Sequence, residues 1–309
     1  MDHFKEYLAA EVALDHADGQ LTRREALRRM GMMGISLTAA SAILAACGND
    51  KKTESTSPDP VAPLVQTTTT AVALVTVPSG GAPRAATTPV PSQEITYPGP
   101  NSTLMGAYAA AAGAKGAVVV IHQNQGLVDN IRAVVSRLAG DGYSALAVDL
   151  LSEEGGTAKV PTAEVSAALT NAGPSRMRDD IVASIDELLK RNAGAKIGLI
   201  GFCFGGTVAW DFVTVGDARL AAASPFYGTV PDPVNFAKNK AAVLGVYGET
   251  DSRVNATREA AKTGLDKTSV PHELKTYAGV GHGFYTQVDT DQSKLAYSDV
   301  LTWFGRYLK

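Results

Sequence analysis

The residue with the clearest capacity for chemistry is Cys203, which lies in the segment Gly201-Phe202-Cys203-Phe204-Gly205. An apolar run at 197–200 precedes this segment, and a helical pattern at 207–215 follows it. The spacing glycine-x-nucleophile-x-glycine is typical of a nucleophile on a tight turn between a strand and a helix. The flanking glycines permit that turn, and the helix N-terminus favours a thiolate. The alternative interpretation is a buried, inert cysteine in a glycine-rich turn.

A thiol nucleophile needs a base, and the base needs an acid that orients it. Asp251 follows an apolar strand pattern at 242–247, and His282, between two glycines, follows the next strand pattern at 272–277. Each residue alone has an ordinary explanation, since an aspartate after a strand is often a turn or helix cap. Together they give the chain order nucleophile, acid, base that α/β-hydrolases share. The sequence therefore predicts a catalytic triad of Cys203, Asp251 and His282.

The other histidines are less suited to act as the base. His3 and His16 precede the predicted folded domain, and His272 begins a strand pattern. His122 follows the strand pattern at 117–121, so we expect it to line the site, although it comes too early in the chain to be the base. No two histidines have the spacing of metal ligands, and we predict no metal.

The segments that must position these residues alternate between strand and helix patterns. Strands are predicted at 95–97, 104–109, 117–121, 143–148, 197–200, 220–227, 242–247 and 272–277. Helices are predicted at 127–138, 163–170, 175–191, 207–215, 256–265 and 292–308. This alternation predicts an α/β-hydrolase fold, with a mostly parallel sheet covered by helices on both faces. In such sheets the site lies at the carboxyl ends of the strands.

The overall composition narrows the class of protein. The chain has 309 residues, a formal net charge of −3 and only two cysteines, Cys47 and Cys203. This length allows one large domain and an additional segment. The sequence shows no basic face that would indicate a nucleic-acid partner. The two cysteines lie in segments too different in character to form a disulfide scaffold.

The first 47 residues resemble an export signal. Arg23 and Arg24 precede an uncharged stretch at 30–46, which resembles a twin-arginine signal, and Cys47 ends a segment that resembles a bacterial lipobox. We therefore predict an exported bacterial protein, periplasmic or at the cell surface, anchored to a membrane through lipid on Cys47. The alternative is an ordinary amphipathic helix. A helical pattern at 4–14 has no evident function.

Residues 48–92 are rich in threonine and proline and show no period of strand or helix. A segment with so few large apolar residues cannot offset its chain entropy by burial. We predict a flexible linker there, followed by the folded domain at 93–309.

Several motifs across 94–309 are shared with a known family of hydrolases. They are Val120-Ile121-His122-Gln123-Asn124-Gln125-Gly126-Leu127, Gly142-Tyr143 with Asp149-Leu150-Leu151, Gly201-Phe202-Cys203-Phe204-Gly205-Gly206, Pro225-Phe226-Tyr227-Gly228, Gly248-Glu249-Thr250-Asp251 and Gly281-His282-Gly283-Phe284. On these motifs the domain resembles the dienelactone hydrolase, or carboxymethylenebutenolidase-like, family. The resemblance implies a small α/β-hydrolase fold, the triad named above, and hydrolysis of lactones or related esters without a cofactor.

The predicted mechanism is attack of Cys203 on the ester carbonyl to form a thioester, with His282 as base and Asp251 fixing its tautomer. The backbone N–H of Phe204 and one from the loop after the third strand, for which Asn124 is favoured, would hold the oxyanion.

The predicted pocket contains Gln123, His122 and Tyr285, and it departs from the family pattern in two ways. Gln123 takes the place of a family glutamate that contacts the resting thiol. No arginine follows His282 to bind a substrate carboxylate, so a less charged substrate than dienelactone is expected.

The sequence is also consistent with a second class of function. The chain could be a hydrolase-like binding lipoprotein with reduced catalysis, whereas a thiol redox role is disfavoured because no second cysteine lies near Cys203 in the sequence. The expected partners are a small ester or lactone and the membrane that holds the lipid anchor. The sequence does not determine the oligomeric state, and a monomer is favoured.

Overall fold

The computed structural model describes residues 2–48, 87–287 and 289–309. Eight strands form one sheet: β1 Gln93–Pro98, β2 Thr103–Ala109, β3 Ala117–Ile121, β4 Ser144–Val148, β5 Ile197–Phe202, β6 Leu220–Phe226, β7 Ala242–Gly248 and β8 His272–Tyr277. Their order across the sheet is β1-β2-β4-β3-β5-β6-β7-β8. β1 pairs with β2 and β2 with β4 in antiparallel fashion, and every other neighbouring pair is parallel. The predicted α/β-hydrolase fold is confirmed.

Ten helices accompany the sheet in the described part of the chain. They are α1 His3–Ala17, α2 Arg23–Met32, α3 Leu37–Gly48, α4 Asp129–Gly140, α5 Val165–Arg191, α6 Phe204–Val215, α7 Ser252–Asn255, α8 Arg258–Asp266, α9 Phe284–Gln287 and α10 Asp291–Tyr307. Short 3-10 turns at Ser152–Glu154, Thr157–Lys159 and Thr162–Glu164 connect β4 to α5.

The central strands are apolar along their whole length because helices cover both faces of the sheet. Every residue of β3, β4, β5 and β7 is buried. The edge strand β1 is largely exposed, and β8 is mostly half-buried or exposed. The core therefore lies around the centre of the sheet, and the carboxyl ends of β5, β7 and β8 meet at one edge of it.

The two helices predicted at 163–170 and 175–191 form the single element α5, which contains a break. Gly173 has φ 73° and ψ 165°, well outside helical values, and Pro174 follows it. A proline is tolerated in the first turn of a helix because that turn has no N–H bond to lose. The break therefore divides α5 at the boundary that the sequence indicates.

The first two helices pack on the domain that contains the sheet, and the third packs on these two helices. Phe4, Leu8 and Val12 recur at helical spacing along α1 and are at most 2% exposed, so one face of this helix is buried. α1 contacts α5 and α6, and α2 also contacts α5. The pattern at 4–14, which had no evident function in the sequence, thus belongs to a helix that covers the domain.

None of the helices in the described ranges is both long enough and apolar enough to cross a membrane. The export signal at 1–47 and the linker at 48–92 stay predictions. Most of the predicted linker lies outside the described residues.

Candidate active site

Cys203 lies on a sharp turn between β5 and α6. It has φ 56° and ψ −118°, one of two non-glycine residues with positive φ in the described chain. Its N–H donates to the carbonyl of Phe226 at 3.1 Å, which fixes the turn against β6. A Cβ on Gly205 would lie 2.5 Å from the carbonyl oxygens of Ile121 and His122, so α6 can approach the end of β3 only with glycine there. Strain at such a residue is typical of functional sites.

Asp251 and His282 come together at the carboxyl ends of β7 and β8. The Nδ1 of His282 donates to Oδ2 of Asp251 at 2.6 Å. The other carboxylate oxygen, Oδ1, accepts the N–H of Val254 at 3.2 Å and caps α7. Asp251 is therefore both the helix cap that the sequence allowed and the residue that orients the histidine.

The second ring nitrogen of His282 faces the cysteine. A nitrogen of this ring and the sulfur of Cys203 lie within 4.8 Å of each other. The ring of Tyr227 packs edge-on against the imidazole, with centroids 5.1 Å apart. The structure thus brings the three predicted catalytic residues to one place, in the order cysteine, histidine, aspartate.

Two residues of α1, which the sequence did not indicate, also reach this place. The hydroxyl of Tyr7 donates to the sulfur of Cys203 at 3.3 Å and lies 3.3 Å from Nε2 of His282. Oε2 of Glu11 lies 3.9 Å from the sulfur, and its Oε1 lies 3.7 Å from Nε2. The only signal in the sequence is the position of Glu11, which falls on the otherwise apolar face of α1.

Arg253 neutralises the charge of Glu11 at the site. Its guanidinium forms an ion pair with the Glu11 carboxylate and lies over the Tyr7 ring, 4.3 Å from the centroid. Burial alone would lower the pKa of Arg253, but Glu11 and Tyr7 outweigh it and raise that pKa. The arginine therefore stays charged and fixes both residues of α1.

These charges change the titration of the histidine. Burial alone would lower the pKa of His282, but the charges of Glu11 and Cys203 and the bond to Asp251 raise it well above its usual value. Burial also raises the pKa of Tyr7 well above its usual value. In this conformation the imidazolium is favoured, and the Tyr7 hydroxyl keeps its proton.

Cys203, His282 and Glu11 form the group of described residues whose donor atoms are close enough together to hold a metal ion. The Arg253 guanidinium is already paired with Glu11, and its positive charge opposes a cation there. The charge distribution thus suits a protonated imidazole rather than a metal.

The residues predicted for the oxyanion hole lie at the same edge of the sheet. Phe204 is the first residue of α6, and N–H groups in the first turn of a helix have no acceptor within the helix. Asn124 is half-buried in the loop that follows β3. The neighbouring Gln123 is buried, and its side-chain oxygen accepts from Asn130 at 3.1 Å.

His122 does not have the exposed position expected of a pocket residue. Its ring is fully buried, with Nδ1 2.7 Å from the carbonyl of Gln123, and Nε2 accepts the N–H of Leu150 at 3.1 Å. Burial lowers the pKa of this histidine. Because both ring nitrogens are bonded to main chain, the neutral imidazole joins the loops after β3 and β4 and has no ring nitrogen left to contact a ligand.

Tyr285 packs against the end of β5, next to the turn that carries Cys203. Its ring stacks on Phe202 with centroids 5.2 Å apart and also packs against Phe226. Because Phe202 directly precedes Cys203, this aromatic cluster fixes the end of β5. The contacts of Tyr285 are those of a packing residue in this conformation.

A mostly parallel sheet with a cysteine on the turn after one strand, and an aspartate and a histidine after two later strands, has the arrangement of the α/β-hydrolase class. The family model of the dienelactone hydrolase family matches residues 105–308. This chain therefore belongs to the dienelactone hydrolase family and is a hydrolase of the ester and lactone class.

Two relatives illustrate the similarity in sequence. A putative carboxymethylenebutenolidase of Salmonella typhimurium is 28% identical over 218 residues, which cover 64% of this chain and 80% of the relative. Another from Saccharolobus solfataricus is 27% identical over 243 residues, covering 67% of this chain and 94% of the relative.

Solved structures show the same fold. A putative dienelactone hydrolase from Klebsiella pneumoniae matches with a TM-score of 0.61 and 23% identity, over 70% of this chain and 98% of that one. A dienelactone hydrolase-like promiscuous phosphotriesterase from metagenomic libraries matches with a TM-score of 0.62 and 22% identity, over 72% and 100% of the two chains.

Proposed function

We propose that this enzyme cleaves ester or lactone bonds through a thioester on Cys203. One observation carries the proposal: a histidine whose Nδ1 bonds to a buried carboxylate at 2.6 Å, while its Nε2 faces a cysteine on a strained turn. The bond from Nδ1 to Asp251 holds a proton on Nδ1, so that once the imidazolium loses its second proton Nε2 can accept the thiol proton, as a general base requires.

In the first half-reaction, Nε2 of His282 takes the proton of Cys203, and the sulfur attacks the carbonyl carbon. The tetrahedral intermediate collapses to a thioester as the alcohol leaves with the proton from His282. In a lactone the alcohol stays attached to the acyl group. In the second half-reaction, His282 activates water, which releases the acid and returns the proton to the sulfur.

The N–H of Phe204 and the N–H of Asn124 are the proposed donors to the oxyanion. Both follow strands that end at this edge of the sheet, and Phe204 is next to the nucleophile. Donors that are fixed before the reaction stabilise the developing charge without reorganisation.

The proposed substrates are activated esters, lactones and thioesters, since a sulfur nucleophile expels amines poorly. Putative carboxymethylenebutenolidases among the relatives support the lactone class. No arginine follows His282 within α9, which favours substrates less charged than dienelactone.

The proposal is tested with p-nitrophenyl acetate and a panel of lactones on the full chain. We expect nitrophenolate release above the spontaneous rate, with an acetyl group on the peptide that contains Cys203 after acid quenching. Turnover without acylation of Cys203 would contradict the thioester. Labelling of the thiol without turnover of any panel member would favour the alternative, a binding lipoprotein.

We further propose that residues 1–47 direct export and that Cys47 receives the lipid anchor. Arg23 and Arg24 support this, since both are exposed at the start of α2 and accessible to a receptor. Changing both to lysine should keep the protein in the cytoplasm, as measured by fractionation and immunoblotting. The matched control changes Arg28, an exposed arginine of the same helix, to lysine. Equal export of both variants would exclude the twin-arginine route.

A further inference from the structure

The first helix of the chain occupies the space that a substrate of Cys203 would need. The sulfur is buried, since Cys203 is only 3% exposed. The Tyr7 hydroxyl lies within hydrogen-bond distance of both the sulfur and Nε2 of His282, so it stands between nucleophile and base. An acyl carbon has to approach the sulfur closely, in line with the base. It cannot do so while Tyr7 and Glu11 contact that atom.

α1 packs closely on the surface of the domain around Cys203. Phe4, Tyr7 and Leu8 are each at most 3% exposed. The Phe4 ring meets the ring of Phe204 edge-on, with centroids 5.4 Å apart, directly beside the nucleophile. His3 bonds to the carbonyl of Thr229 at 3.2 Å. α1 therefore buries its apolar face over the nucleophile turn and fixes its first turn against the domain.

Charge complementarity fixes the register of α1 on this surface. Glu11 is 8% exposed and pairs with Arg253, whose side chain is otherwise placed over the Tyr7 ring. A buried carboxylate requires a partner, because an isolated buried charge is strongly unfavourable. A shift of α1 by one turn would separate this pair, so the ion pair and the apolar face together specify one docked position.

We propose that α1, residues 3–17, is an intramolecular cap that occupies the substrate site, and that the capped conformation is inactive. The inference rests on the proposed role of Cys203 as the nucleophile. The partner of the active-site surface is thus a segment of the same unprocessed chain. Hydrolysis requires α1 to leave, either by undocking or with residues 1–46 when the proposed signal is cleaved before Cys47. α2 and α3 pack on α1 and extend the covering layer.

The test uses three variants in the full chain. Glu11→Gln removes the ion pair with Arg253, and Leu8→Asp places a charge in the buried face of α1 without removing a hydrogen bond to the triad. Glu6→Gln is the matched control, since Glu6 is an exposed glutamate of the same helix. The two readouts are the rate at which iodoacetamide alkylates Cys203, followed by peptide mass, and the kinetics of p-nitrophenyl acetate hydrolysis.

We expect Glu11→Gln to raise the alkylation rate by about 10-fold and Leu8→Asp by about 100-fold, because cap release exposes the thiol. KM should fall by similar factors with kcat unchanged, while Glu6→Gln matches the wild type. Circular dichroism and thermal melting verify that each variant is folded. If Leu8→Asp does not fold, Glu11→Gln alone decides the outcome.

Two results would overturn the cap. One is alkylation of the wild type as fast as that of both release variants. The other is loss of kcat in both release variants, which would make α1 part of the catalytic machinery. Because alkylation needs no turnover, faster labelling without hydrolysis would keep the cap and reject the hydrolase. Equal alkylation together with equal hydrolysis below KM by wild type and release variants would reject the cap and keep the hydrolase.

Discussion

Cys203→Ala should lower kcat/KM for an activated ester by at least about 10⁴-fold, since removal of a nucleophile leaves only the binding and oxyanion contributions to rate. The side chain is small and buried on a turn that the backbone and Gly205 fix, so alanine keeps the fold. The measurement is steady-state hydrolysis of p-nitrophenyl acetate, in the wild-type background and with Leu8→Asp.

Cys203→Ser is the control for packing. It retains a hydroxyl in nearly the same position, but that hydroxyl is far harder to deprotonate than a thiol, so the acyl group should be found on Ser only at low occupancy. Thermal stability of both variants should stay close to that of the wild type. Hydrolysis by Cys203→Ala at the wild-type rate would assign the chemistry to another group.

His282→Gln should lower kcat/KM by about 10³–10⁴-fold, because it removes the base that takes the thiol proton and later activates water. His272→Gln is the matched control. His272 begins β8, and its ring nitrogens contact Val270 and Asp266, neither of which belongs to the proposed active site. Its activity should stay within about 2-fold of the wild type, the range expected for a surface change.

The pH profile of hydrolysis tests whether protonation of His282 stabilises the capped form. Burial lowers the pKa of His282, but in the capped conformation Glu11 of α1, together with Cys203 and Asp251, raises it above its usual value. The capped form therefore gains stability from the proton at low pH and loses it as pH rises through the raised pKa. The rate of hydrolysis by the wild type should increase toward alkaline pH. His282→Gln should lack this rising limb of the pH–rate profile. An unchanged limb in that variant would exclude His282 as its origin.

Much of the fold could be read from the sequence because its signals are local. The continuous apolar runs of β3 and β7 reflect burial on both faces of the sheet, and the glycines around Cys203 reflect the close backbone contacts at the turn. The triad order follows from strands whose carboxyl ends share one edge. These features require no knowledge of which distant segments pack together.

The cap could not be read in the same way. The periodicity of α1 shows that one face is apolar, but it does not reveal which surface that face covers. Glu11 and Cys203 are 192 positions apart in the chain. The role of His122 was equally hidden, since its Nε2 accepts from Leu150 in the loop after β4, a contact that no local pattern specifies.

Because α1 and the surface it covers belong to one chain, inhibition by the cap differs kinetically from inhibition by a free ligand. Tyr7 and Cys203 belong to one chain, 196 positions apart. A tethered competitor has an effective concentration, up to the order of millimolar, that dilution does not change. A substrate that competes with the cap binds only to uncapped molecules, so its apparent affinity is reduced in proportion to the uncapped fraction. The rate at saturating substrate is unchanged. The full chain should therefore act as a slow enzyme at trace substrate and as an ordinary one at high substrate.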